Sequence, residues 1–91
     1  MAHLRREIWY QGHVQGVGFR YTVAAIARRY PVTGFVQNLP DGRVHLVCEG
    51  PSGDLEQFLA DIAERMGSFV RDTQEDRRVA SGQFREFEIR V

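Results

Sequence analysis

The 91-residue chain reads as an α+β sandwich, two helices packed on one face of a mainly antiparallel sheet of four to five strands. Three observations predict this. Short runs of alternating apolar and polar residues recur along the chain, which is the period of a half-buried strand. Two longer stretches carry apolar residues at helical spacing. The segments follow one another as βαββαβ with an added terminal strand, an order that buries one sheet face under one stripe of each helix.

Each element follows from its residues. From Arg6 to Val14, the positions Ile8, Tyr10, Gly12 and Val14 alternate with Glu7, Trp9, Gln11 and His13, giving the first strand. Phe19, Val23, Ile26, Ala27 and Tyr30 then form a helical stripe that Pro31 ends. Val32 to Leu39 and Arg43 to Glu49 read as a hairpin turned at Pro40-Asp41-Gly42, with Val44, Leu46 and Cys48 facing one way. Trp9, His45 and Val47 are expected on the sheet face away from the helices. Ser52 is the expected N-cap of a second helix, whose Leu55, Phe58, Leu59, Ile62, Ala63 and Met66 keep the helical period until Gly67. Phe69 to Val79, with its polar run Arg71 to Arg78, reads as an exposed strand, and Phe87, Ile89 and Val91 alternate in a short closing one. With no repeat or linker, residues 1–91 read as one domain.

The chemistry is concentrated between the first strand and the first helix. Gly12-His13-Val14-Gln15-Gly16-Val17-Gly18-Phe19-Arg20 is a glycine-spaced loop that ends in an arginine at a helix start. Such glycines let backbone N–H groups crowd around an anion, the helix start adds its positive end, and a guanidinium supplies two parallel donors. The residues expected to hold a phosphate are Gln15, Gly16, Val17, Gly18, Phe19 and Arg20. Asn38, a few residues before Asp41-Gly42, carries an amide that can donate to and accept from one water. Arg20 and Asn38 are the candidate catalytic residues.

These residues resemble the two motifs of the acylphosphatase family. Gly12, Val14, Gln15, Gly16, Val17, Phe19 and Arg20 match the first, and Gly34, Phe35, Val36, Asn38, Gly42, Val44 and Gly50 match the second. The resemblance implies a ferredoxin-like fold and hydrolysis of the carboxyl-phosphate bond of small acyl phosphates. It further implies Arg20 on the phosphoryl group, Asn38 on the attacking water, no metal, no cofactor and no covalent intermediate. The chain departs from the family pattern at Tyr10, at Tyr30-Pro31 and across Met66 to Val70, none of which touches Arg20 or Asn38.

Composition narrows the alternatives. Basic and acidic side chains balance at 12 each, so no overall field favours nucleic acid or an anionic membrane. Every basic residue is an arginine, which excludes a Schiff-base lysine and a P-loop lysine. His3, His13 and His45 lack zinc-site spacing, and the single Cys48 permits no internal disulfide. Cys48 reads as a small core side chain, and His13, next to the loop, as a minor candidate for a general acid or base. No signal-like segment and no membrane-length apolar run occurs, so a cytoplasmic monomer is the expectation. Two other readings compete: a non-catalytic, phosphate-binding regulatory module of the same fold, and an RNA-binding module, which would need the basic surface and aromatic strand motif this chain lacks.

Overall fold

A computed structural model describes residues 3–91. The elements are β1 (His3–Gly12), α1 (Phe19–Ala27), β2 (Thr33–Asn38), β3 (Val44–Pro51), α2 (Ser52–Met66), β4 (Val70–Val79) and β5 (Phe87–Arg90), with a short 3-10 turn at Gly67–Phe69. The sheet order is β4-β1-β3-β2-β5. Pairing is antiparallel throughout except between β2 and β5, which are parallel. The expected α+β architecture is the observed one, and five strands rather than four complete it.

The core lies between the sheet and the two helices. Ile8 and Tyr10 of β1, Val36 of β2 and Val44, Leu46 and Cys48 of β3 meet Phe19, Val23 and Ile26 of α1 and Leu55, Phe58 and Ile62 of α2. Leu59 is only half-buried and Ala63 exposed, so the α2 stripe is narrower than its apolar residues alone suggest. Ser52 is the first helical residue rather than the cap. Pro51 takes the flanking position, with φ −61° and ψ 142°, and no side chain caps the helix start. Asp54 in the first turn and Arg65 in the last instead complement the helix dipole.

The second sheet face is less open than the alternation predicts. Trp9, His45 and Val47 do lie there, but Val47 is fully buried. Trp9 and His45 stack at 4.9 Å, and the Phe35 ring meets both His45 and Phe84 edge-on. The Arg90 guanidinium covers Phe35 at 3.8 Å. β4 has almost no buried residue, yet it pairs with β1 from Leu4↔Val79 to Gln11↔Asp72. Backbone hydrogen bonds hold it, and its alternating charges discourage further pairing along the sheet edge.

Two charged residues sit where periodicity alone expects apolar ones. Arg6 occupies a core-facing position of β1 and is buried, bonded to Glu75 of β4 and, at 2.6 Å, to Glu56 of α2. It thereby ties the edge strand and the second helix to the central sheet. Glu49 is buried on the opposite face and accepts from the Ser81 N–H and hydroxyl at 2.8 Å each and from the Gly82 N–H at 3.0 Å. Burial works against both carboxylate charges, but the Ser81 and Gly82 hydrogen bonds hold Glu49, and Arg6 holds Glu75, below the ordinary value of 4.5. A carboxyl group with a depressed folded-state pKa contributes stability that is present above the unfolded value and lost as pH falls through the folded one. Denaturant unfolding followed from neutral to acid pH is therefore expected to show stability declining below pH 4.5. In Glu75→Gln this decline should be shallower, and an unchanged slope in that variant would remove Glu75 from the account.

Candidate active site

Topology brings three chain segments together. β1 and β2 both run antiparallel to the β3 strand between them, so they are parallel to each other and end at the same edge of the sheet. β5 runs parallel to β2 and ends there as well. The loop that leaves β1, the last residue of β2 and the last residue of β5 are therefore neighbours.

The loop is fixed at both ends and in the middle. At Gly12, with φ 138°, a Cβ would stand 2.6 Å from the Phe69 carbonyl oxygen, so only glycine admits that close approach. The next N–H, of His13, donates to the same carbonyl at 2.9 Å. The Gln15 side-chain amide donates from Nε2 to the Leu39 carbonyl at 2.9 Å and to the Arg43 carbonyl at 3.0 Å. Those two carbonyls flank the β2–β3 turn, so Gln15 staples the loop to the hairpin. Gly18 ends the loop in the left-handed region, with φ 77° and ψ 20°, where an L side chain is strained by roughly 1–2 kcal/mol.

That turn at Gly18 starts α1. The first helical bond runs from the Thr22 N–H to the Gly18 carbonyl at 3.0 Å, which leaves the Phe19 and Arg20 N–H groups without helical acceptors. No acidic side chain in the first turn competes for them. The Phe19 ring is buried, 5.0 Å from the Tyr10 ring, and seats the helix start on the sheet. Tyr10, a departure from the family pattern, thus fills the floor beneath the loop.

Arg20 follows directly. Its Nη1 donates to the Arg90 carbonyl at 3.0 Å, which orients the guanidinium against the end of β5 and leaves most of its N–H donors free. Asn38 is the last residue of β2, and its Oδ1 is buried with no hydrogen-bond partner among the described residues. An acceptor of this kind is costly to leave unpaired inside a protein. Both side chains line one cavity of about 280 Å³, together with Val14, Gly16, Gly18, Phe19 and Tyr21. Free amides, a guanidinium and a helix start in one concavity can bind an oxyanion, and the Asn38 carbonyl can accept a hydrogen bond from a bound water.

Of the residues expected to hold phosphate, Gly16, Gly18, Phe19 and Arg20 line this cavity. Gln15 and Val17 do not: the Gln15 side chain serves the hairpin, and Val17 packs against the core. The exposed His13 side chain is not part of the lining either. Cys48 is buried, and burial pushes its thiol up to about 12, far from a nucleophile's range. Three larger hollows, of about 510 Å³ beside Arg28 and Arg85, about 420 Å³ beside Arg43 and Arg71 and about 580 Å³ beside Glu49 and Phe84, include neither Arg20 nor Asn38. Sequence reasoning did not find the Arg90 anchor, because a main-chain carbonyl has no residue-type signature.

The chain is similar to known proteins in sequence and fold. The family model described as Acylphosphatase matches residues 6–89. The chain is 37% identical over 91 residues to an acylphosphatase of Syntrophotalea carbinolica, covering 99% of both chains. It is 46% identical over 56 residues to an acylphosphatase of Nocardia farcinica, a match that spans 62% of this chain and 56% of that protein's length. The crystal structure of acylphosphatase from Bacillus subtilis superposes with a TM-score of 0.88 at 34% identity, over 97% of this chain and 99% of that one.

The Gln15 staple is open to test by unfolding. Gln15→Ala removes two hydrogen bonds to carbonyls and is expected to cost about 1–3 kcal/mol in denaturant titration. Gln15→Glu at neutral pH, a carboxylate facing two carbonyl oxygens, should cost at least as much. Wild-type stability in the glutamate variant would show that the staple does not hold the loop.

Proposed function

The chain belongs to the acylphosphatase family, and from that premise we propose that it hydrolyses acyl phosphates without a metal, using Arg20 and Asn38. The observation that carries this reading is that Arg20 and Asn38 line one cavity at the start of α1, where the buried Asn38 Oδ1 has no hydrogen-bond partner among the described residues.

In this mechanism the phosphoryl group sits on the loop amides between Gln15 and Arg20, with the free donors of Arg20 on its oxygens. Lysine could not replace that planar fork. Asn38 accepts a hydrogen bond from the attacking water through Oδ1, which turns an oxygen lone pair toward phosphorus. As the water oxygen bonds to phosphorus, the bond from phosphorus to the acyl oxygen breaks, and its electron pair leaves with the carboxylate. The proton lost by the water passes to a phosphoryl oxygen, so the products are a carboxylate and inorganic phosphate. A carboxylate is a good leaving group, and a loose transition state needs position and charge stabilisation more than a strong base. This is why a site without a histidine, a lysine or a cysteine thiolate suffices.

The Arg90 carbonyl has a supporting part. It takes up one donor of Arg20 and restrains the side chain before substrate arrives, which lowers the ordering cost of a long flexible group.

Kinetics with benzoyl phosphate in the presence of a chelator test the reading. The wild type is expected to turn over at an undiminished rate. Arg20→Ala and Arg20→Lys should each lose about a hundredfold to a thousandfold in kcat/KM, the usual effect of removing a well-placed donor. Near-normal hydrolysis by either would end the assignment. Asn38→Ala should lower kcat while inorganic phosphate still inhibits at a similar concentration. A wild type that binds phosphate but turns over no acyl phosphate would instead identify a phosphate-binding regulatory module.

A further inference from the structure

Tyr21 is 73% exposed although it is a large aromatic residue. Among the described residues the other large exposed hydrophobics are Val79 and Val91, and neither lines the Arg20–Asn38 cavity. Tyr21 does line it, one residue beyond Arg20 in the first turn of α1. The fold makes little use of the ring: the buried stripe of α1 is Phe19, Val23, Ile26 and Ala27, and Tyr21 points off that stripe. The cavity's other apolar side chains, Val14 and Phe19, are buried in the core. Tyr21 therefore provides the accessible apolar surface at this mouth.

We propose that Tyr21 is a specificity-determining residue of this site, a face against which a flat, apolar acyl group packs while the phosphoryl group is held by the loop. The inference rests on the acyl phosphate reading above and refines its substrate class to acyl phosphates with an aromatic acyl part. The phosphoryl group is the same in every acyl phosphate, so the loop and Arg20 cannot discriminate between them. Discrimination has to come from what lies beyond the phosphoryl oxygens, and Tyr21 offers a ring there. Contact between two aromatic faces favours the aryl ligand by about two- to tenfold over one that only fills space.

The test compares benzoyl phosphate with acetyl phosphate as substrates, and phenylphosphonate with methylphosphonate as non-hydrolysable ligands. The wild type is expected to prefer the aryl member of each pair. In Tyr21→Ala the benzoyl-to-acetyl ratio of kcat/KM should fall about two- to tenfold, chiefly through KM for benzoyl phosphate. Tyr21→Phe should keep the ratio. The binding preference for phenylphosphonate should fall in parallel, a readout that needs no turnover. A ratio unchanged in Tyr21→Ala, an equal loss on both substrates, or a wild type that binds the two phosphonates equally would each overturn the role of Tyr21. Absence of hydrolysis together with a Tyr21-dependent preference for phenylphosphonate would overturn the catalytic reading and leave the aryl contact standing.

Discussion

The site depends on the parallel course of β1 and β2 on either side of β3. Two strands that share an antiparallel neighbour must run the same way, so the loop after β1 and the end of β2 share one sheet edge. The α1 crossover then sets a helix start beside them, and parallel pairing brings the end of β5 to the same edge. No side chain creates this coincidence. Side chains exploit it: Gln15 ties the loop to the hairpin, Arg20 reaches the Arg90 carbonyl, and Asn38 faces the same cavity. Residues far apart in sequence are held by backbone geometry first and by hydrogen bonds second.

Local stability is given up where the cavity forms. Among the described residues the first-turn amides of α1 have no acceptors, and Asn38 Oδ1 is buried without a partner. Each costs free energy in an isolated fold, and each is what an oxyanion and an ordered water would offset. The rest of the chain compensates. Arg6 bridges β4 and α2 under the sheet, Glu49 holds the turn at Ser81 and Gly82, and Tyr10 with Phe19 fills the floor of the loop. Unpaired polar groups sit at the concavity, and tight polar and apolar packing surrounds it.

Much of this was legible in the residues. Period-two and helical patterns located six of the seven main elements, because each of those turns one face to a common core, while β4 was legible only as an exposed polar run between Phe69 and Val79. The glycine spacing before Arg20 marked the loop, since left-handed turns at a helix start depend on residue type. What escaped depended on partners remote in sequence. Arg6 falls at an inward position of β1, yet its acceptability rests on Glu56 and Glu75, which only tertiary structure brings near. The weak pattern of β4 hid a long backbone pairing with β1, and Ser52 has a capping type of side chain although Pro51 takes the flanking position. The loop motif groups Gln15 and Val17 with the other phosphate-binding loop residues, and that their side chains face the hairpin and the core depends on partners remote in sequence.

The central claim is that the loop amides and Arg20 hold one oxyanion in the cavity that Asn38 also lines. Titration of the isotopically labelled protein with inorganic phosphate, followed by amide and side-chain NMR shifts, tests it most directly. The account predicts that the Gly16 to Arg20 amides, the Arg20 Nε–H and the Asn38 side-chain amide shift together with a single dissociation constant, and that the response disappears in Arg20→Ala. Shifts confined to other surfaces, or separate constants for Arg20 and Asn38, would contradict it.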